Sequence, residues 1–403
     1  MKAIIITTIH RFTERVSILL GRQRVQFIAG TVVAMAGVML LVAFATADDG
    51  RTIFGPQLGP DYACYYVAGN ILNSPRPQQL YNVSLQNRLY HQLFPTVPEH
   101  MSVPYLNAPF FAVLVRPLAL LPYKWSFSAW LVIGLALYIA GLRLLWHVSD
   151  ALAEFDFVLV LLVAVSFLPF LMTCWMNGQS SAIGFFAISL AIWLQNGRHE
   201  IAGGAVLALC LYKPPQVGLI LLMLAMARRG RMLVGFLLGG IGLAGISVAA
   251  IGWEGCRSYV ELLLNFTEFR RNAPEVFRSW IFVDAFSFLN SLITDCPAWL
   301  WGVTFAVVAG VLIMLARIWR QAKPGWSVSF QLSWACALAW TPLLSGYFGI
   351  YDTVIIVPAA MLTANAMKQA NLAGRRPLTP AFHTLLAIIY VTTWMTQPMA
   401  WLV

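Results

Sequence analysis

The chain has 403 residues, of which 60% are hydrophobic and 10% are charged, and its formal net charge is +10. Several runs approach the roughly 20 apolar residues that a helix needs to cross a bilayer, which excludes a soluble protein. The basic residues stand in short groups at the ends of apolar runs. That distribution is typical of a topology signal and argues against a nucleic-acid-binding protein.

The first apolar run, 25–45, follows a basic head and is too long for the core of a cleaved signal peptide. We expect residues 1–24 to be a cytoplasmic N-terminus and 25–403 to form a single transmembrane domain. Two stretches are polar enough to be large loops outside the membrane, a first loop over 46–124 and a second over 253–297.

The first loop contains its own short helices, predicted over 61–72 and 84–93 and separated by turns at prolines. Its last part, 107–122, is apolar but short for a span, and Arg116 interrupts it. Such a segment suits a helix that lies at the membrane surface. We therefore expect about 11 transmembrane helices, or 12 if 107–122 crosses.

The charge balance favours the arrangement in which 107–122 does not cross. After 25–45 the predicted spans are 125–146, 157–175, 180–195, 201–212, 215–227, 232–252, 298–316, 328–345, 353–367 and 381–401. This places 16 of the 26 basic residues and five of the 16 acidic residues on the inner side, as the positive-inside rule requires. The charge balance predicts an integral membrane protein whose working face is extracytoplasmic. We take the membrane to be a bacterial plasma membrane, which the charge balance itself does not determine.

The sequence has few signs of a cofactor. The six cysteines contain no CxxC pair, and the six histidines show no HExxH or other paired spacing. Neither a Walker loop nor a GxGxxG turn after a strand is present, which points away from a nucleotide substrate. We expect no cofactor and no bound metal.

Acidic residues are scarce, and one of them stands among aromatics in Gly59-Pro60-Asp61-Tyr62-Ala63-Cys64-Tyr65-Tyr66. A carboxylate at a membrane edge is a candidate general base for an acceptor hydroxyl. The alternative is that Asp61 only begins the helix predicted over 61–72, since aspartate is a good helix cap.

Other polar residues fall on the same outer side, next to short spans that predict a crevice into the membrane. Lys213, followed by two prolines, is a candidate for binding phosphate or a lysine that merely reaches toward the membrane surface. The stretch containing Arg270, Arg271 and Arg278 is either a further site for an anionic ligand or a helix that binds lipid headgroups. The candidates for sugar or acceptor contacts are Tyr65, Tyr66, Asn107, Asn177, Gln179, Tyr347, Tyr351 and Asp352, of which Asn177, Gln179 and Asp352 are also placed to begin helices.

The motifs over 25–400 resemble, in their order, those of glycosyltransferase family 87, membrane enzymes of the GT-C superfamily. Asp61 with Tyr65-Tyr66 resembles the family's D-F-x-x-Y-Y segment, and 107–122 resembles its Y-P-P and P-L-A-L-L-P segment. The later pieces are Gly178-Gln179, Lys213-Pro214, Arg228-Arg229 and Tyr351-Asp352. The chain departs from the pattern at Asn107-Ala108-Pro109, where two prolines are usual, and at Ser180, where asparagine is frequent.

The resemblance implies an all-α polytopic protein with a GT-C fold and the activity of an inverting hexosyltransferase. It implies a polyprenyl-phosphate-linked donor, with mannose as the sugar in the best-known members, and a lipid or glycolipid acceptor that Asp61 deprotonates. The assignment of donor phosphate to Lys213, Arg270, Arg271 and Arg278 comes instead from charge and topology.

Two other functions stay open from the residues alone. A transporter or flippase of lipid-linked sugars would need charged residues inside the spans, and the spans have almost none. A non-catalytic subunit of an envelope-glycan assembly would need neither a general base nor the candidate phosphate and sugar contacts.

Overall fold

The computed structural model shows a helical chain. It describes residues 21–48, 50–55, 57–98, 102–152, 156–266, 268, 282–292, 298–323, 325–372 and 380–400. Over these ranges, extended pairing is limited to isolated bridges. The predicted all-α class is therefore confirmed for the described part of the chain.

The α-helices follow the order of the apolar runs. They are α1 (Arg22–Thr46), α2 (Pro60–Leu72), α3 (Val83–Leu93), α4 (Pro109–Val115), α5 (Tyr123–His147), α6 (Phe157–Ser166), α7 (Ser181–Asn196), α8 (Glu200–Leu207), α9 (Gly218–Met226), α10 (Gly230–Leu264), α11 (Ala285–Leu292), α12 (Ala298–Gln321), α13 (Val328–Leu344), α14 (Ile356–Leu372) and α15 (Pro380–Ala400). A π-helical segment covers Pro169–Met176, and 3-10 segments cover Pro77–Gln79, Leu118–Leu120, Asp150–Leu152, Ala208–Tyr212, Pro214–Gln216 and Ile350–Ile355.

Five described helices are long and apolar enough to cross a membrane, namely α1, α5, α10, most of α12 and the stretch Ile350–Ala370. The helix α6 and the π-helical segment make a sixth span if this pair, bent by 61°, crosses as one. The chain is an integral membrane protein. The predicted count of about 11 helices stays a prediction, because several of the predicted spans form helices of only 10–17 residues.

The first loop has the short helices that the sequence predicts, as α2 and α3. In the segment 107–122, α4 has seven residues and ends before Arg116-Pro117. A helix of that length extends only about 10 Å and is too short to span a bilayer. The beginning of the second loop differs from the prediction, because α10 continues to Leu264 after a kink at Gly252, where φ is 70°.

The helix α7 is the centre of the apolar core and packs between α5 and α8. Its residues Ala187, Ile188, Ala191 and Ile192 are fully buried. On α5, a side chain at Gly141 would meet the ring of Phe185 at 2.7 Å, so the two helices pack closely only because this residue is glycine. The tight packing fixes the N-terminal end of α7, where the polar residues of the site begin.

Candidate active site

Four polar side chains from separate parts of the chain meet at one end of the bundle. They are Asp61 in the first turn of α2, Gln179 just before α7, Lys213 between two 3-10 segments, and Asp352 in the 3-10 segment before α14. We call these four residues the charged cluster. Lys213 is 34 residues from Gln179 and 139 residues from Asp352 in the sequence. The cluster therefore exists only in the folded chain.

The backbone around Asp61 is fixed by the loop that precedes α7. The amides of Asp61 and Tyr62 both donate to the carbonyl of Asn177, at 3.0 and 3.3 Å. Gly178 has a φ of 78°, and a Cβ there would lie 2.6 Å from the Cβ of Tyr62. Glycine is therefore required where this loop meets the start of α2, and the contact brings Asp61 next to Gln179.

The amide of Gln179 has a defined orientation. Its Oε1 accepts hydrogen bonds from the Tyr65 hydroxyl and from Lys213 Nζ, both at 2.9 Å. Because both donors face the oxygen, the amide nitrogen is left to donate, and the Gln179 side chain lies next to the carboxyl of Asp61, whose pKa it lowers. Gln179 thus connects the lysine to the candidate base.

Asp352 is buried, with 4% of its surface exposed. Its Oδ1 accepts from Ser181 Oγ at 2.5 Å, Gln216 Nε2 at 2.7 Å and Lys213 Nζ at 3.2 Å. Gly184 on α7 makes this possible, because any side chain there would overlap the amide of Gln216. The carboxylate is held by donors from two separate segments, one at residue 181 and one at residues 213–216.

The pKa of Asp61 is raised from its ordinary value of 3.8 to about 7. The main cause is burial, which penalises the charged carboxylate; the positive charge of Lys213 and the hydrogen bond from Gln179 lower the pKa, and the negative charge of Asp352 raises it. Asp61 is nevertheless only half-buried. A partly accessible carboxyl with a pKa near neutrality is able to accept a proton at physiological pH.

Some of the remaining predicted contact residues touch the charged cluster and others do not. The Tyr65 hydroxyl contacts Gln179, and the ring of Tyr351 lies under Lys213, with Nζ 4.3 Å from its centroid. Asn177 takes part through its backbone carbonyl. Tyr66 points elsewhere, and its hydroxyl donates to the carbonyl of Leu121 at 2.8 Å.

Asn107 contacts Tyr81, which lies between α2 and α3. Its carbonyl accepts from the Tyr81 hydroxyl at 2.6 Å, and its buried side-chain Nδ2 has no hydrogen-bond partner in the described part of the chain. Tyr347 has a φ of 73° and packs its ring against Phe266 and Phe282, each with centroids 4.6 Å away. Arg270, Arg271 and Arg278 lie outside the described residues.

Two residues that hold the cluster together, Gln216 and Ser181, were not among the sequence candidates. Gln216 follows Lys213-Pro214-Pro215 and Ser181 follows Gln179-Ser180. A signal was present, since each is a polar side chain within three residues of a candidate at the end of an apolar run. Among the described residues, no three His, Cys, Asp or Glu side chains lie close enough together to hold a metal ion.

An apolar cavity of about 270 Å³ lies between α6, α14 and α15. Its walls include Phe167, just before the π-helical segment that leads to Gln179, and Ile356, four residues after Asp352. From there the cavity extends to Leu152, in the 3-10 segment before α6, and to Phe382, near the start of α15. None of the four residues of the charged cluster lines the cavity.

Comparison with known proteins gave one match. The family model described as glycosyltransferase family 87 matches residues 105–346, which is more than half of the chain and narrower than the range 25–400 over which the motifs resemble that family. Gln179 and Lys213 lie within the matched segment, and Asp61 and Asp352 lie outside it. No curated protein and no solved structure matches the chain.

Proposed function

The chain belongs to glycosyltransferase family 87, and on that premise we propose that it is an inverting glycosyltransferase in which Asp61 is the general base. The observation that carries the proposal is the carboxyl of Asp61, which is half-buried and has its pKa raised to about 7 beside Gln179 and Lys213. Near neutral pH such a group is present as carboxylate and as acid in comparable amounts, which suits proton transfer.

In the proposed reaction, the Asp61 carboxylate takes the proton of an acceptor hydroxyl while that oxygen attacks the anomeric carbon of the donor. The bond between this carbon and the phosphate oxygen breaks, and the lipid phosphate leaves with the electron pair. Attack from the side opposite the leaving group inverts the anomeric configuration. Lys213 stabilises the negative charge that develops on the phosphate, since a lysine ammonium binds phosphate as a compact point charge.

The proposed donor is a polyprenyl-phosphate-linked hexose, with mannose as the expected sugar. The apolar cavity supports a lipid-linked donor, because its walls are almost wholly aliphatic and aromatic and include Ile356, four residues after Asp352. In this proposal the hydrocarbon chain of the donor occupies the cavity and its phosphate binds at Lys213.

Two of the proposed sugar and acceptor contacts, Tyr65 and Tyr351, lie next to Gln179 and Lys213. Tyr65 and Tyr351 offer hydroxyls and ring faces, which suit carbohydrate. The Nδ2 of Asn107, which has no hydrogen-bond partner among the described residues, is a donor for a ligand oxygen. Tyr347 lies beside this set, and the arginines at 270, 271 and 278 remain proposed phosphate contacts from charge alone.

We place the reaction on the extracytoplasmic face of a bacterial plasma membrane, with a lipid or glycolipid as acceptor and without a cofactor or metal. The support for this orientation is the positive-inside distribution of basic residues, which puts the loops bearing Asp61, Gln179 and Lys213 outside.

The test uses the full chain in nanodiscs with a panel of radiolabelled polyprenyl-phosphate sugars and total membrane lipid as acceptor. We expect transfer from one donor and a loss of about 100- to 10,000-fold in Asp61→Asn, because the variant keeps the shape of the side chain and cannot accept the proton. Donor binding should be retained. The matched control is Asp156→Asn, at the other end of the α6 and π-helical pair, where the carboxylate pairs with Arg22 at 2.7 Å.

Full activity in Asp61→Asn would exclude Asp61 as the base. Movement of labelled lipid between leaflets without a covalent product would instead favour a flippase. Absence of both, in a folded protein, would favour a non-catalytic subunit.

A further inference from the structure

Asp352 is placed to hold a protein group and not a sugar. Its Oδ1 already accepts from Ser181, Gln216 and Lys213, and the residue is 4% exposed. A buried carboxylate engaged in this way is costly to move, because each donor would lose a charge-assisted hydrogen bond in a poorly solvated place. The contacts indicate a fixed counter-ion.

The group it holds is the ammonium of Lys213. Nζ bridges Asp352 Oδ1 at 3.2 Å and Gln179 Oε1 at 2.9 Å, and the Tyr351 ring lies 4.3 Å away. The lysine side chain is 17% exposed, and an ammonium has three hydrogens to donate. Two of its donor directions are fixed by the protein, and one is left for a ligand.

The position of Lys213 in turn decides which way the Gln179 amide faces. With Lys213 and Tyr65 both donating to Oε1, only the amide nitrogen can face Asp61. A reversed amide would put its NH2 group against the Lys213 ammonium, which has no acceptor, and its oxygen against a carboxylate. The geometry therefore links Asp352 to Asp61 through two intermediate side chains.

We propose that Asp352 is a positioning residue for the transfer: its carboxylate holds Lys213, and Lys213 fixes the Gln179 amide that donates to the carboxylate of Asp61. The inference rests on the proposed function only in treating Asp61 as the base. The arrangement of the four side chains is testable without any turnover.

The arrangement has an electrostatic consequence. Removing the negative charge of Asp352 leaves the positive charge of Lys213 uncompensated next to Asp61, which favours ionised Asp61; removing Lys213 does the opposite. Among the described residues, the other titratable groups that interact with Asp61 are phenols and a thiol, which are neutral near pH 7 by their ordinary pKa values. They are Cys64, Tyr65, Tyr90 and Tyr351.

The experiment measures the protonation of Asp61 directly. Infrared spectra of the full chain in nanodiscs are recorded from pH 4 to 9, and the carboxyl band of Asp61 is identified as the band that Asp61→Asn removes. We expect the midpoint to fall by at least about half a pH unit in Asp352→Asn and to rise by about one unit in Lys213→Met. The double variant should return toward the wild-type midpoint.

The matched control is Asp284→Asn, a buried aspartate that caps α11 through the backbone amide and hydroxyl of Ser287. In this variant the midpoint of Asp61 should equal that of the wild type. An unchanged midpoint in either Asp352→Asn or Lys213→Met would overturn the inference. If Asp352→Asn does not fold, the midpoint in Lys213→Met decides the outcome.

Transfer kinetics separate positioning from simple structural support. In Asp352→Asn the acid limb of kcat/KM should move to lower pH together with the infrared midpoint, while kcat falls. A fall in kcat with an unmoved acid limb would show that Asp352 only supports the fold and would contradict the proposal. Because the infrared titration needs no turnover, failure of this inference and failure of the proposed activity give different results.

Discussion

Two polar clusters lie at opposite ends of α14, and they differ in charge. At one end, Asp352 joins Asp61, Gln179 and Lys213. At the other, Gln331, Asn365 and Gln369 form an amide cluster, in which Asn365 Nδ2 donates to Gln331 Oε1 at 2.7 Å and Gln331 Nε2 donates to Gln369 Oε1 at 3.0 Å.

The amide cluster joins two neighbouring helices and is neutral, as is usual for polar residues that hold membrane helices together. The charged cluster gathers side chains from four separate segments and keeps a carboxyl half-buried with a raised pKa. Burying a carboxylate costs free energy that an amide does not cost, and a carboxyl that is partly accessible and has a raised pKa is typical of a group used in chemistry. Buried polarity alone would not have distinguished the two ends.

The largest difference between the clusters should appear in the pH dependence of transfer. Because Asp61 must be ionised to accept a proton, kcat/KM should fall about tenfold per pH unit below its pKa of about 7. The loss is at low pH, since protonation removes the base. Gln331→Leu should keep this profile, and transfer that stays constant from pH 5 to 8 would contradict the role of Asp61.

The next largest difference is expected when a glutamine in each cluster is replaced by leucine and kcat/KM is compared. Gln179→Leu removes a hydrogen bond to a charged group and should lower kcat/KM about 10- to 100-fold. Gln331→Leu should change kcat/KM less than about twofold and lower the free energy of unfolding by about 1 kcal/mol. Kinetics and thermal unfolding in the same nanodiscs measure both effects, and equal kinetic losses would contradict the comparison.

Glycine at 184 is what lets Gln216 reach Asp352. A Cβ at this position would overlap Gln216 Oε1 and lie 3.0 Å from the Tyr212 hydroxyl. Gly184→Ala should destabilise the fold by about 1–3 kcal/mol and reduce transfer, because the displaced Gln216 no longer supports Asp352. The control is Gly134→Ala, where the nearest atom lies 3.9 Å from the added Cβ. Thermal unfolding that is the same in both variants would show that the close approach is not required.

The smallest effect is expected at Tyr66. Its hydroxyl donates to Leu121 and not to the charged cluster, so Tyr66→Phe should cost about 1 kcal/mol of stability and leave kcat/KM nearly unchanged. Tyr65→Phe, one residue away, should lower kcat/KM because it removes a donor to Gln179. Similar kinetics in the two variants would place both tyrosines outside the reaction.

The sequence predicted the short helices of the first loop within a residue at each end, since proline and asparagine mark where they begin. It also pointed to Asp61 and Lys213, because a carboxylate and an ammonium are conspicuous in an apolar chain. It did not separate Tyr65 from Tyr66. Consecutive residues on a helix point about 100° apart, so only one of the pair faces Gln179.

The amino-acid sequence by itself determined that the chain is a helical membrane protein of this family, because apolar runs, basic flanks and ordered motifs are properties of the linear chain. Only the tertiary structure decided the roles within the site. The orientation of the Gln179 amide and the engagement of Asp352 depend on contacts between residues 34 to 171 positions apart. Such contacts are set by helix packing, to which glycines such as Gly178 and Gly184 contribute close approaches that no local pattern shows.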